Sequence, residues 1–289
     1  MTQQMFHEVA VARRQLLTPG MVRLTFAGEG LAAFASTGIG DEYVRLFFPD
    51  EATGETVLPI IDGEGRWTYP DGKPPVRYST YTVRRFDAAA RELDIDFVVH
   101  EGGLASEWAQ AAPPGQRIVI NNPRGLYQPP PDVRWQVLLA DATGLPALAR
   151  LLEDTPDDIA SRVVIEVADA AHEQALPPHP RALVTWLHGS GNGLRASRLA
   201  EAFQRIPLPE GCGYLWGSGE QTAIRAIRQR ARKMPIFQDG RSKLIAYWIE
   251  EGAEGRGRPE ALASEASARI EADWSGLVEA KTPDLATMN

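Results

Sequence analysis

The sequence predicts an N-terminal antiparallel barrel of six strands, then a parallel α/β domain and a C-terminal helix. Short alternating apolar runs, separated by Gly/Pro turns, continue to about residue 125, which is typical of a small barrel. From residue 136 onward, apolar strands alternate with helical segments, as in a parallel sheet covered on both faces. The chain has 289 residues, which is long enough for two domains with separate cores.

The barrel strands are read from apolar alternation. Residues 6–27 contain two such runs around Thr18-Pro19-Gly20, which is a hairpin signature. Four further strands are predicted at residues 41–49, from Arg77, at 92–100 and at 117–121. The polar, turn-rich segment 53–73 is expected to form a long loop over one rim. Stiff prolines at 129–131 follow the last strand, so we place the boundary near residue 130 and predict domains 1–130 and 131–255.

The second domain is predicted to contain five strands and three helices. The strands are expected at residues 136–140, 162–168, 182–188, 213–216 and 244–249. The helices are expected at residues 145–153, 196–206 and 220–233. In the extension 256–289, apolar residues at spacings of three and four predict an amphipathic helix over 258–281. That helix would pack on the body of the protein, and a dimer contact is the alternative.

Composition excludes several classes of function. A net charge of −8 argues against nucleic acid or an anionic membrane surface as the main partner. No segment has the apolar length of a signal peptide or a membrane span, which predicts a cytoplasmic protein without membrane insertion. The single cysteine, Cys212, excludes an internal disulfide and a four-thiolate iron–sulfur cluster. The five histidines are scattered, so we expect no metal site, and we expect a monomer.

Residues 77–84, RYSTYTVR, combine an aromatic ring with hydroxyls and arginines at the end of a barrel strand. This combination suits a flavin. Tyr81 offers a flat face to the ring, and Thr82 can hydrogen-bond near N5, the atom that accepts hydride. Arg77 or Arg84 can pair bidentately with a pyrophosphate. An ordinary β-strand with polar edges is the alternative interpretation.

The stretch from His100 to Trp108 follows the next predicted strand directly. Gly102 and Gly103 permit a close backbone approach, and a helix is expected over residues 107–112. Backbone N–H groups at a helix start form an anion site, which Ser106 could complete. A capped turn before a helix is the alternative. The order of a ring platform followed by a phosphate turn favours the flavin interpretation.

These motifs resemble the FAD domain of siderophore-interacting proteins, which are ferric-siderophore reductases on the ferredoxin-reductase architecture. The motifs are YTVRRFD, ELDIDFVVH, the Gly-Leu-Ala-Ser run, Asn-Pro-Arg-Gly, LLADATGLPA, Thr-Trp-Leu, YLWGSGE and Ala-Tyr-Trp, over residues 5–255. Three residues depart from the family pattern. Ser79 stands where the family usually has Arg, Leu104 where it has Pro, and Ile249 where it has Arg.

The resemblance implies electron transfer from NADH or NADPH through FAD to a ferric siderophore, with ferredoxin as a third possible donor and partner. It implies no catalytic side chain, because the flavin carries the electrons. The implied FAD-binding residues are Arg77, Ser79, Thr80, Tyr81, Thr82, Arg84, Phe97, Val98, His100, Gly103, Leu104, Ala105, Ser106 and Trp108. The alternatives are a reductase of another acceptor (flavin, quinone or partner protein) and a non-catalytic flavin- or siderophore-binding protein.

Two glycine-containing turns in the second domain are candidates for the donor. The N–H groups of Thr143 and Gly144, between a strand and a helix, could hold a dinucleotide pyrophosphate. A helix start without a ligand is the alternative. The run from Gly191 to Ala196 matches the dinucleotide fingerprint, but it follows the third strand and lacks the later acid. We therefore interpret it as a glycine-rich connection, near which Arg195 and Arg198 could meet a 2′-phosphate.

Two further sets complete the predicted site. The resemblance places Glu220 against the nicotinamide amide and Trp248 near the flavin side of the interdomain cleft. A plain strand turn and core packing are the respective alternatives. An acidic ferric chelate needs local positive charge on this acidic protein, so we name Arg45, Arg124 and Lys243 as substrate-binding candidates. Ordinary solvated surface charges are the alternative for each of them.

Overall fold

A computed structural model describes residues 5–50, 52–61, 67–70, 73 and 75–249. The predicted helix over 258–281 and parts of the predicted loop over 53–73 lie outside the described residues. In the described part of the chain, the N-terminal strands form one antiparallel sheet, and the later strands form a parallel sheet covered by helices. The predicted fold class is confirmed.

The N-terminal sheet has seven strands, and a separate two-stranded hairpin lies beside it. The nine strands are β1 (Phe6–Thr18), β2 (Met21–Ala27), β3 (Tyr43–Phe48), β4 (Ile60–Ile61), β5 (Trp67–Thr68), β6 (Arg77–Thr82), β7 (Arg85–Asp87), β8 (Glu92–Val98) and β9 (Arg117–Asn121). The sheet order is β6-β3-β9-β1-β2-β8-β7, and β4 pairs with β5. Six strands match the predicted barrel, and the three-residue β7 is an addition that the sequence reading missed.

Alternation along the strands sorts the side chains of the barrel. On β3, Val44, Leu46 and Phe48 belong to the buried barrel core. The opposite face of β3 carries Tyr43 and Phe47. The Phe47 ring contacts the rings of Phe6, Trp67 and Tyr78. The period of two residues therefore gives β3 one face inside the barrel and one face outside it.

The barrel closes between β6 and β8, which are not hydrogen-bonded neighbours in the sheet. The rings of Tyr81 and Phe97 lie 4.4 Å apart across this gap. The helix α1 (Leu104–Ala111) follows β8 and packs its Trp108 ring on Phe26 and Phe48. It begins three residues earlier than predicted, because Gly103 rather than Ser106 is its N-cap.

The parallel sheet has the order β12-β11-β10-β13-β14. Its strands are β10 (Trp135–Asp141), β11 (Ala160–Val167), β12 (Ala182–His188), β13 (Gly213–Glu220) and β14 (Ser242–Trp248). The helices are α2 (Leu145–Glu153), α3 (Leu199–Arg205) and α4 (Gln221–Ala231), with 3₁₀ turns at Glu29–Ala33, Ala170–His172 and Pro235–Phe237. The strand order reverses between β10 and β13, which is where ligands bind in open sheets of this kind.

Two consecutive buried carboxylates connect the barrel to the parallel sheet. Asp41 accepts the indole N–H of Trp216 on β13 at 2.9 Å, and the N–H groups of Leu126 and Tyr127 at 2.7 and 2.8 Å. Glu42 accepts a guanidinium N–H of Arg150 on α2 at 2.8 Å. Both carboxylates lie just before β3, so the barrel edge that carries β6 is held in a fixed position against β13 and α2. In the described part of the chain, no helix is long and apolar enough to cross a membrane.

Candidate functional site

The strand β6 carries the centre of the predicted site on one face. This face carries Arg77, Ser79 and Tyr81. Their cross-strand partners on β3 are Phe48, Leu46 and Val44. Tyr81 is partly buried against the barrel core, and burial raises the pKa of its hydroxyl above the ordinary value. Its ring is therefore fixed at the gap between β6 and β8, as a platform for a flat ring requires.

The two ends of β6 face different parts of the molecule. Thr82 is buried, and its side chain lies close to the hydroxyl of Tyr247 on β14. At the other end, Arg77 pairs across the sheet with Phe48, whose ring contacts Trp108 of α1. A ligand that follows β6 from Thr82 to Arg77 thus runs from the interdomain cleft to the start of α1.

The two arginines predicted for the pyrophosphate have different surroundings. A guanidinium N–H of Arg84 donates to Glu153 at the end of α2, at 3.0 Å. This ion pair joins the two domains and points Arg84 away from α1. Arg77 lies at the other end of β6, where its charge helps to lower the pKa of Asp50, and the choice between Arg77 and Arg84 stays a prediction.

The predicted phosphate turn is built around His100. Ser106 is buried, and its hydroxyl accepts the His100 N–H and donates to the His100 carbonyl, both at 2.9 Å. A Cβ on Gly103 would lie 2.1 Å from a ring carbon of the exposed His100 side chain, so that ring would have to move for any larger residue. These two bonds hold the Ser106 hydroxyl to the turn, and its contact with a phosphate stays a prediction. The candidates that remain in this turn are the backbone N–H groups of Leu104 and Ala105.

Several residues that the resemblance implied have core roles. Phe97 is fully buried in the barrel, and the Trp108 ring packs on the barrel core from outside. Val98 is half-buried, and His100 is exposed beside the turn. Thr80 is half-buried and pairs with Arg45 across β6 and β3. Phe97 and Trp108 therefore support the site from the barrel core. The exposed ring of His100 lies where a ligand could contact it.

Asp141 organises the carboxyl end of the parallel sheet. Its Oδ1 accepts the N–H and the hydroxyl of Thr143 at 2.9 and 2.6 Å. Its Oδ2 accepts the backbone N–H of Glu220 at 3.0 Å and the indole N–H of Trp248 at 2.7 Å. Burial raises the pKa of this carboxyl, and the hydrogen bonds oppose that rise. One carboxylate thus links the ends of β10, β13 and β14.

The hydrogen bonds of Asp141 change what Thr143 and Gly144 can do. The Gly144 N–H also points to Asp141, with the carbonyl at 3.1 Å and Oδ1 at 3.4 Å. Both N–H groups donate within the chain, and the expectation that they hold a pyrophosphate stays a prediction. Sequence reading identified the turn but not Asp141, whose partners Glu220 and Trp248 are 79 and 107 residues away.

Glu220 and Trp248 meet at the predicted nicotinamide position. Glu220 is the N-cap of α4, where its Oε2 accepts the Ala223 N–H at 2.9 Å. Trp248 is half-buried, and its indole is fixed by Asp141 rather than packed only in the core. The prediction that both residues line one end of the cleft agrees with these contacts, and their contact with a ligand stays a prediction.

The three cationic residues predicted to bind the substrate have separate surroundings. The Arg45 guanidinium lies over the rings of Trp67 and Tyr78, 4.8 and 5.7 Å from their centroids. Burial lowers the pKa of Lys243, the nearby charge of Asp41 opposes this, and Arg124 lowers it further. Lys243 and Arg124 are therefore close enough to repel each other, which is the electrostatic setting of an anion site.

The residues along β6 fit an FAD molecule. Tyr81 and Arg77 lie towards opposite ends of β6, and the Trp108 ring of α1 packs on Phe48, the cross-strand partner of Arg77. This is the order of a flavin ring followed by a pyrophosphate and its helix site. The His100 ring lies beside Gly103 at the predicted phosphate turn. In the described residues, no group of three or more His, Cys, Asp or Glu could hold a metal ion.

An antiparallel barrel followed by a parallel sheet of this strand order defines the two-domain fold of ferredoxin-reductase-like proteins. A ferredoxin NADP⁺ reductase from Neisseria gonorrhoeae shares this fold at 13% identity, with a TM-score of 0.57 over 85% of this chain and 100% of that chain. At this identity the likeness shows the fold alone.

The chain belongs to the siderophore-interacting protein family. A siderophore-interacting FAD-binding domain matches residues 10–127, and a siderophore-interacting protein domain matches residues 133–251. The ferric vibriobactin reductase ViuB of Vibrio cholerae is 31% identical over 82% of this chain and 86% of its own. The NADPH-dependent ferric-chelate reductase of Escherichia coli is 32% identical over 84% and 92%. A siderophore utilization protein from T. fusca has 37% identity and a TM-score of 0.76 over 86% and 96%.

Proposed function

We propose that this protein is an FAD-dependent reductase that transfers electrons from NADH or NADPH to ferric siderophores and releases ferrous iron. The observation that carries the proposal is the closeness of Thr82, which follows Tyr81 on β6, to Tyr247, which precedes Trp248 on β14 of the other domain. A ring stacked on Tyr81 would meet a second ring at the carboxyl end of β13 and β14. The family membership supports the same function.

When bound, FAD would accept a hydride from the donor and pass electrons singly to ferric iron. The side chains of this chain bind and orient. Tyr81 carries the ring, Arg77 and the α1 N–H groups hold the pyrophosphate, and Trp248 borders the donor side. Asp41 and Glu42 keep the two domains in register, so that two rings can meet at a fixed distance. No described side chain has to act as a nucleophile.

The acceptor site would lie beside Lys243 and Arg124. Ile249 stands where the family usually has Arg, and here it packs against the cluster of Tyr43, Leu126 and Ile245. That place therefore carries no positive charge here, and Lys243, near the opposite end of β14, is the cationic residue of this strand. We propose that Lys243 and Arg124 bind an acidic ferric chelate, and that Arg45 contributes through the aromatic face of Trp67 and Tyr78.

The test is anaerobic spectroscopy on the purified, FAD-loaded protein. NADH or NADPH should bleach the flavin absorbance, and a ferric siderophore should restore it while a ferrous-specific chelator reports Fe²⁺. Free flavin and a quinone, added in place of the siderophore, test reductases of other acceptors. If no donor bleaches the flavin, the reductase hypotheses fail and only the non-catalytic binding protein is left. Reduced ferredoxin is the further donor to test.

The domain limits at residues 130 and 255, the cytoplasmic location and the monomeric state stay predictions.

A further inference from the structure

Three buried carboxylates lie at the carboxyl edge of the parallel sheet, one at the end of each of three strands. They are Asp141 on β10, Glu166 on β11 and Glu220 on β13, with exposed fractions of 2%, 0% and 6%. Each accepts a backbone N–H at or near the start of a helix. Helix starts at this edge are where sheets of this class hold the phosphates of a dinucleotide.

The start of α2 has few N–H groups left for a ligand. The N–H groups of Thr143 and Gly144 donate to Asp141. Pro146 is the second residue of α2 and has no N–H group. A Cβ on Gly144 would lie 2.0 Å from the Ser218 hydroxyl, so β13 packs directly against this turn. The Asp141 carboxylate therefore takes the place that a phosphate has in related sheets.

The other two helix starts are filled in the same way. Glu166 accepts the Arg198 N–H at 2.7 Å and the Ser190 hydroxyl at 2.6 Å through Oε1. Its Oε2 has no hydrogen-bond partner among the described residues and lies against Gly191. Glu220 caps α4 through Ala223. A diphosphate at this edge would thus lie beside three carboxylates and find the N–H groups of Thr143, Gly144, Arg198 and Ala223 already bonded.

We propose that the donor site recognises the dihydronicotinamide end of the donor and leaves its diphosphate outside the sheet edge. The inference rests on the proposed function and concerns which part of the donor is bound. Recognition then falls to the surfaces around Trp248 and Gly219, where Asp141 holds the indole in place. Binding of an anion at the edge would require displacement of a buried carboxylate from its donors, which is unfavourable. A mononucleotide donor should therefore serve almost as well as a dinucleotide.

The test compares donors on the FAD-loaded protein. Anaerobic stopped-flow measures flavin bleaching by NADPH, NADH and reduced nicotinamide mononucleotide over a range of concentrations. We expect the second-order rate constants for the mononucleotide and the better dinucleotide to agree within about tenfold, the factor that corresponds to about 1.4 kcal/mol. A larger advantage of the dinucleotide overturns the proposal.

Calorimetry supplies a readout that does not depend on electron transfer. ADP-ribose and inorganic pyrophosphate, titrated into the same protein, should bind with Kd values above about 1 mM. Asp141→Ser removes the charge and the carboxylate to which the Thr143 N–H donates, so it should tighten ADP-ribose binding about tenfold or more. Asp157→Ser removes an exposed carboxylate beyond α2 and is the matched control, expected to change nothing.

The outcomes separate this inference from the proposed function. If no donor bleaches the flavin, the proposed function fails, and the calorimetry still decides where phosphates bind. If dinucleotides bleach it and the mononucleotide is more than tenfold slower, the function stands and the inference fails. Tight ADP-ribose binding to the unmodified protein also overturns the inference, even if Asp141→Ser does not fold.

Discussion

Replacing Asp41 with Asn is expected to weaken the joint between the barrel and the parallel sheet. The Asp41 carboxylate accepts three N–H groups, from Leu126, Tyr127 and the indole of Trp216. All three partners are donors. An Asn side chain has only one oxygen, so its amide NH₂ must face one of these donors.

The expected loss follows from this geometry. If the Asn oxygen keeps the two backbone N–H groups, the indole N–H of Trp216 stays buried without an acceptor. Trp216 is fully buried, so the unmet N–H costs about 1–3 kcal/mol. Loss of the charge weakens the two remaining hydrogen bonds as well, so we expect destabilisation of about 3 kcal/mol in total.

A double-mutant cycle with Trp216→Phe isolates the contact. Phe removes the indole N–H, so Asp41→Asn should cost less in that background, with a coupling of about 1–3 kcal/mol. Trp135→Phe is the matched control, because the Trp135 indole N–H donates to the Glu210 carbonyl within one domain. Urea denaturation followed by circular dichroism gives the free energies without relying on tryptophan fluorescence.

A coupling below about 0.5 kcal/mol would refute the argument, since independent sites add to within that margin. The control pair Asp41→Asn and Trp135→Phe should reach that limit. A large coupling in the control pair would show a general loosening of the fold. The same variants should also slow hydride transfer without loss of FAD, because the joint sets the register of the two domains.

Three further outcomes test the site. Tyr81→Ala should weaken FAD binding by about 1–3 kcal/mol, measured by flavin fluorescence titration. Tyr81→Phe keeps the ring and should not weaken it. Equal affinity of the two variants would show that the flavin does not stack on this ring. Gly103→Ala should weaken FAD binding, because its Cβ would lie 2.1 Å from the His100 ring; retained affinity would remove the phosphate turn from the site. Lys243→Ala should raise KM for an acidic ferric chelate, and the effect should shrink with salt. An equal rise for a neutral chelate would contradict a charge role for Lys243.

Local patterns in the sequence were sufficient to predict most elements of the fold. The bounds of α2 and β12 agree with the structure at both ends, since a proline start and an apolar run mark them. By contrast, β13 continues four residues beyond the predicted end, through Gly217 and Gly219. A Cβ on Gly217 would lie 2.9 Å from Leu244, so close packing rather than a turn explains that glycine. Sequence patterns of small residues do not distinguish these two uses.

The site was predicted in its local motifs and missed in its long-range contacts. The platform at Tyr81 and the turn at Gly103 lie on single stretches of chain, so composition and order reveal them. Asp41, Asp141 and Arg150 were not predicted as site residues, because their partners lie up to 175 residues away. Ser106 was assigned to phosphate because a hydroxyl at a helix start suits an anion equally well. Its bonds to His100 depend on how the turn folds back.

The pairing of β1 with β9 has a consequence for how the chain folds. Phe6 is opposite Asn121, and the buried His7 ring bonds Asn122 at 2.7 Å. Closing a loop of this length costs about 4 kcal/mol of chain entropy before any contact is made. During synthesis the barrel cannot complete its sheet until residue 121 has left the ribosome, several seconds or more after Phe6 at about 5–20 residues per second. Until then β1 is paired with β2 on one side only. Its other edge exposes unpaired backbone groups, which is where a chaperone could prevent pairing with another chain.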